Sequence, residues 1–127
     1  MAPVRVVLVE DNDVFREALE LLFGLRPDIE IVASLADGSE AVAACATLRP
    51  DVAVIDYRLP GLDGVEVASA VRHACPGLAV VCLTAQVSDR EREALRAAGV
   101  VECVTKDEPL EQIVGAIRRA AGADACS

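Results

Sequence analysis

The sequence predicts an α/β fold: a doubly wound, five-stranded parallel sheet in the order 2-1-3-4-5 with five flanking helices. Three observations carry this expectation. Strand-like and helix-like runs alternate without a break from Arg5 to Ala121. Four apolar runs end on polar residues able to hold a phosphoryl group or a metal: Val6 to Val9 on Glu10 and Asp11, Val52 to Ile55 on Asp56, Ala79 to Leu83 on Thr84, and Cys103 to Thr105 on Lys106. The steps between those ends are 45 residues (Asp11 to Asp56), 28 (to Thr84) and 22 (to Lys106). A parallel crossover takes a few tens of residues, so the first step holds two βα units and each later step one.

The elements follow in order. A first strand from Arg5 to Val9 leads to a helix from Asp13 to Leu25, with Phe15, Leu19, Leu22 and Phe23 on one face. Pro27-Asp28 stops it. A second strand, Glu30 to Ser34, reaches the turn Ala36-Asp37-Gly38 and a helix from Ser39 to Leu48. This strand ends without an obvious reactive group, which assigns it to a sheet edge and gives the flavodoxin-like order. Pro50 closes the unit, and the third strand delivers Asp56. Leu59-Pro60-Gly61-Leu62-Asp63-Gly64 is dense in turn residues, and a helix then runs to Ala74. Pro76-Gly77 marks the next break.

After the fourth strand, Ser88-Asp89-Arg90-Glu91 has the form of a capping box and starts a helix that ends at Gly99. The last strand, Val100 to Thr105, precedes a helix from Pro109 to Ala121, where proline suits the first turn. Leu110, Ile113, Val114 and Ile117 form its apolar stripe. Residues 1–121 read as one domain, and Gly122 to Ser127 as a frayed tail or the start of a linker.

Composition narrows the class. Hydrophobic residues make up 54% of the 127 residues and aromatics only 2%, so the core is built from Val, Leu, Ile and Ala. A net charge of -9 argues against this chain gripping nucleic acid or an anionic membrane by itself. No apolar run approaches the roughly 20 residues of a membrane span, and the amino end lacks signal-peptide form; the expected location is cytoplasmic. The five cysteines (Cys45, Cys75, Cys82, Cys103 and Cys126) include no C-x-x-C pair, and His73 is the only histidine, so a closed zinc site is not expected. Cys45, Cys82 and Cys103 read as small apolar fillers, Cys126 as a tail residue able to cross-link chains in air, and His73 as a surface residue.

In an open parallel sheet the functional site lies beyond the carboxyl ends of the strands. Glu10, Asp11 and Asp56 therefore converge, and two unit charges about 4 Å apart repel by roughly 4 kcal/mol at an effective dielectric of 20. A hard divalent cation offsets this, and Mg²⁺ suits a site of a few carboxylates, waters and a phosphate. A carboxylate is an established phosphoryl acceptor. Lys106, the one lysine beside eleven arginines, places a compact charge there, and the Thr84 hydroxyl can donate to a phosphoryl oxygen.

The constellation resembles the receiver domain of two-component response regulators, over Arg5 to Ala121. The matching residues are Val9-Glu10-Asp11-Asn12, Asp56-Tyr57-Arg58-Leu59-Pro60 through Gly64, Leu83-Thr84-Ala85, and Thr105-Lys106-Asp107. The resemblance implies a phosphoacceptor rather than a turnover enzyme, with Asp56 taking a phosphoryl group from a sensor histidine kinase. It implies Mg²⁺ on Asp11 and Asp56 directly, on Glu10 through water, and on the backbone carbonyl of Arg58. Thr84 and Lys106 hold and sense the phosphoryl group, and positions Arg58 and Gln86 influence its lifetime. The expected output is the surface formed by the fourth helix, fifth strand and fifth helix.

Asp13-Val14-Phe15-Arg16-Glu17-Ala18-Leu19, Pro27 to Val32, and Lys106-Asp107 are similar to the branch with a LuxR-type helix-turn-helix output domain. The chain therefore reads as the receiver half of a longer regulator, with a stand-alone receiver as the alternative, and any DNA would be bound through that output domain. A homodimer through the last two helices is a family-level expectation. Two departures stand out. Cys103 occupies the position of a switching aromatic, and Lys106-Asp107 lacks the family's proline, so a trans peptide is expected.

Two other classes compete. A haloacid-dehalogenase-type phosphohydrolase would use Asp11 in Asp11-Asn12-Asp13, but it leaves Asp56 without a role and lacks a late acidic pair. A receiver-like binding module that is never phosphorylated leaves the acidic pocket unexplained. A flavodoxin-type cofactor module would need a Gly- or hydroxyl-rich loop after the first strand, where this chain is acidic.

Overall fold

The computed structural model describes residues 3–59, 62–86 and 88–125. Five parallel strands form one sheet: β1 (Val4–Val9), β2 (Ile29–Leu35), β3 (Val52–Asp56), β4 (Ala79–Thr84) and β5 (Val100–Thr105). Their spatial order is β2-β1-β3-β4-β5, as the sequence predicts. Five helices cover it: α1 (Asp13–Gly24), α2 (Ala41–Leu48), α3 (Gly64–Ala74), α4 (Asp89–Ala97) and α5 (Glu111–Ala125).

Every residue of β3 is buried, because the central strand is covered on both faces. Alternation then sorts the core into two layers. Leu19 and Phe23 of α1 and Ile113, Val114 and Ile117 of α5 pack on Val6, Leu8, Val52, Val54, Val81 and Leu83. On the opposite face Ala41, Cys45, Val67, Val71 and Leu95 pack on Val7, Val9, Ala53, Ile55, Val80 and Cys82. Both apolar stripes expected for α1 and α5 face the sheet. Cys45 and Cys82 are buried fillers, whereas Cys103 is only half-buried; His73 is exposed.

Several local features differ from expectation. Gly38–Glu40 forms a 3₁₀ turn, so α2 proper starts at Ala41. The Leu59 to Gly64 segment contains a two-residue antiparallel ribbon, Arg58–Leu59 against Leu62–Asp63; Pro60 and Gly61 lie outside the described residues. The turn into α5 uses i+3 bonds from the Gln112 N–H to the Pro109 carbonyl and from the Ile113 N–H to the Leu110 carbonyl, which delays the α-helix to Glu111. That helix continues to Ala125 rather than fraying after Ala121, since alanines around Gly122 have high helix propensity; Cys126 lies outside the described residues.

The ends of the sheet are pinned by polar contacts. The Arg5 guanidinium donates to the Leu48 and Arg49 carbonyls at 2.7 and 3.1 Å, satisfying the C-terminus of α2. Arg118 forks onto Asp28 and Arg119 onto Glu102, tying α5 to both sides of the sheet. The expected capping box at Ser88 and Glu91 is present, and α4 is followed by Gly99 at φ 97°, a left-handed conformation where a Cβ would strike the Arg72 side chain.

One helix is held differently. Only Leu95 is buried in α4, against a surface otherwise made of charged and small side chains. Few buried apolar contacts make an element the first to open. Leu95→Ala is expected to cost about 2–4 kcal/mol in a urea melt, with amide exchange rising first across residues 89–97. Unchanged exchange there would show that α4 is anchored otherwise.

Candidate functional site

The carboxyl ends of β1, β3, β4 and β5 converge at one edge of the sheet. Glu10 and Thr84 are 0% and 1% exposed and Asp56 is 4% exposed, while Asp11 stands exposed at the rim. One carboxylate oxygen from each of Glu10, Asp11 and Asp56 lies within 4.8 Å of the others. Lys106 reaches in from the end of β5: its Nζ is 2.7 Å from Glu10 Oε1 and 3.0 Å from Asp56 Oδ2. A single ammonium thus faces three carboxylates.

Local hydrogen bonds fix these groups. The Asn12 N–H donates to Glu10 Oε2 at 3.0 Å, and the Asn12 side chain caps α1 by accepting from the Phe15 N–H. The Arg16 guanidinium donates to the Glu10 carbonyl at 2.8 Å. The Arg58 N–H donates to Asp56 Oδ1 at 3.1 Å. Lys106 is itself placed twice: its N–H donates to the Thr84 carbonyl at 2.7 Å, and its ammonium sits 4.9 Å from the Phe15 ring centre. Its peptide to Asp107 is trans.

Burial dominates the electrostatics. It pushes the Glu10 carboxyl up to about 7, with Asp56 adding to the rise while Lys106 and the Asn12 N–H oppose it. Burial would lower the Lys106 ammonium, but its bonds to Glu10 and Asp56 outweigh that and hold it above its ordinary value. Glu10 Oε1 is buried and ion-paired, yet no aligned hydrogen bond reaches it. That atom and the clustered carboxylates form an all-oxygen donor set that fits a small hard cation such as Mg²⁺.

Glu10, Asp11, Asp56 and Lys106 are therefore brought together as the sequence leads one to expect. Thr84 is adjacent, but its hydroxyl donates to the Gln86 carbonyl at 2.7 Å, and so faces its own loop. Arg58 and Gln86 share a cleft of about 320 Å³ with Ser88 and Glu91 beside the pocket. Sequence reading missed Asn12, Phe15 and Arg16 as supports. Asn12 carries a cap signal; Phe15 is indistinguishable from a core residue and Arg16 from a solvated charge.

Comparison with known proteins agrees with this geometry. The family model for the response regulator receiver domain matches residues 6–118. TcrX of Mycobacterium tuberculosis, called a probable transcriptional regulatory protein, is 37% identical over 116 residues, covering 91% of this chain and 49% of TcrX. The structure of the signal receiver domain of NarL from Mycobacterium tuberculosis superposes with a TM-score of 0.90 at 31% identity, covering 96% of this chain and 98% of that one. A LuxR-family two-component response regulator from Aurantimonas sp. has a TM-score of 0.90 at 28% identity, covering 96% and 87%. The chain spans about half the length of the curated relatives it matches.

The crowding has a thermodynamic signature. Asp11 is the carboxylate that Lys106 does not pair with, so Asp11→Asn relieves repulsion without breaking an ion pair. Metal-free Asp11→Asn is expected to be more stable than the wild type by up to about 1 kcal/mol after solvent screening, and to gain less stability than the wild type when Mg²⁺ is added. A lower melting point without metal would contradict the repulsion.

Proposed function

Because the chain belongs to the response regulator receiver domain family of two-component systems, we propose that Asp56 is its phosphoacceptor and that Thr84 and Lys106 convert phosphorylation into a change of surface. The observation that carries this is the placement of Asp56: a buried carboxylate whose two oxygens are held by the Arg58 N–H and the Lys106 ammonium.

In the reaction an Asp56 oxygen attacks the phosphorus of a phosphohistidine on a sensor histidine kinase, and the imidazole leaves. Asp11, Asp56 and the Arg58 carbonyl would hold Mg²⁺ directly and Glu10 through water, and the bound ion would supply charge neutralisation at the phosphoryl oxygens. Asp56 is pre-aimed by its two hydrogen bonds, which lowers the orientational cost. Lys106 supplies a donor that can move from the carboxylates to the incoming oxygens without leaving the pocket.

The added charge and acceptor oxygens bias two states. The Thr84 hydroxyl leaves the Gln86 carbonyl for a phosphoryl oxygen, releasing the loop before α4. That helix follows because Leu95 is its one fully buried anchor. No ring occupies position 103, so the change travels through the loop and helix. The surface of α4, β5 and α5 then alters its affinity for a second copy of the chain or for an output domain; DNA binding belongs to that output domain.

The phosphohydrolase alternative needs Asp11 as the nucleophile beside the lysine. Here the ammonium lies on Glu10 and Asp56, and Asp11 is at the rim, which favours Asp56. Intact mass after incubation with Mg²⁺ and acetyl phosphate tests the reading. Wild type is expected to gain one phosphoryl group, Asp56→Asn none, and Asp11→Asn little. No gain in wild type would turn the reading to a binding module, and donor turnover that ignores Asp56 to a phosphohydrolase.

A further inference from the structure

We propose that Cys82 and Cys103 form a peroxide-sensitive dithiol that closes to a disulfide across β4 and β5, adding an oxidative input to the switch. The pairing arises from a bulge. Val80 is opposite Val100 but Val81 is opposite Glu102, so Val101 is an extra residue and Cys103 falls directly beside Cys82. Neighbouring strands lie about 4.8 Å apart, within the roughly 4.4–6.8 Å between Cα atoms that a disulfide spans. Both cysteines belong to the core layer on the same face of the sheet.

Their exposure differs in the sense such a pair requires. Cys82 is 1% exposed, whereas half-buried Cys103 opens into a cleft of about 200 Å³ lined by Arg92, Arg96 and Glu102. The neighbouring Cys82 thiol, with Arg92 nearby, outweighs burial to bring the Cys103 thiol down to about 7, and the Cys82 thiol, whose S–H faces the Leu83 carbonyl at 3.7 Å, is driven far up. The accessible member is the nucleophile.

The chemistry balances. The Cys103 thiolate attacks one oxygen of hydrogen peroxide, breaking the O–O bond and giving a sulfenic acid and hydroxide. The Cys82 sulfur then attacks the sulfenic sulfur, and the oxygen leaves as water with the Cys82 proton. Two thiols are oxidised and one peroxide is reduced to two waters. Cys82 is two residues before Thr84 and Cys103 three before Lys106, so the cross-link fixes the two strand ends that must adjust around a phosphoryl group. This regulatory role rests on the receiver reading; the dithiol chemistry does not.

The test uses the whole chain, as wild type and with Cys45, Cys75 and Cys126 changed to serine. Each is reduced, freed of reductant, treated with hydrogen peroxide and digested without reduction. A peptide joining Cys82 to Cys103 is expected, lighter by two hydrogens than its separate halves and cleaved by reductant. In Cys82→Ser, a sulfenic acid at Cys103 is trapped by dimedone. Phosphoryl uptake from acetyl phosphate is expected to fall in the cross-linked chain and return on reduction. Absence of the joined peptide in both proteins overturns the dithiol, and unchanged uptake by the cross-linked chain overturns the oxidative input. A cross-link with no uptake even in the reduced chain sinks the receiver reading and the input with it, while supporting the dithiol.

Discussion

The Lys106 ammonium, 2.7 Å from Glu10 and 3.0 Å from Asp56, holds the functional edge of this molecule together. Two of the three carboxylates there are buried, and burying a charge without a partner costs several kcal/mol. One cation cannot neutralise three carboxylates, so the pocket is left with excess negative charge and a buried oxygen lacking an aligned donor. That imbalance, on an all-oxygen donor set, fits a small hard divalent cation.

The fold serves that pocket through its sheet. The two-layered core covers β1, β3 and β4 on both faces, so Glu10, Asp56 and Thr84 emerge from the most buried strands of the sheet. Lys106 emerges from β5, whose outer neighbour is α4 with its one fully buried side chain. Rigidity and looseness are therefore placed side by side. In the proposed switch, Asp56 would stay fixed by the core while α4, with its one buried anchor, would be the element most readily displaced.

Much of the fold could be read from the sequence, because its signals are local and strong. Pro27, Pro50 and Pro76-Gly77 punctuate, the Ser88 to Glu91 box starts a helix, and apolar runs of strand length end on charged residues. The strand order followed from which ends carried chemistry. What escaped depends on geometry rather than residue type. The 3₁₀ turns at Gly38–Glu40 and before Glu111 differ from α-helix by one residue of hydrogen-bond register. Phe15 lies beneath Lys106 although it sits in an apolar stripe that reads as core. The Cys82–Cys103 pairing depends on the bulge at Val101, and no pattern in β5 announces it. Thr84 is legible as a polar strand end, but the direction of its hydroxyl is set by the following loop.

If Lys106 is the counter-charge on which the metal-free pocket depends, a double-mutant cycle reveals it. Urea unfolding would be measured without divalent metal for wild type, Lys106→Met, Glu10→Gln with Asp56→Asn, and the combination of all three. Lys106→Met alone is expected to cost about 3 kcal/mol by leaving two buried carboxylates unpaired, and far less when both are already neutral amides, a coupling that appears as non-additivity. Equal and small costs in both backgrounds would contradict the account, and would mean that Lys106 lies near the carboxylates without holding them.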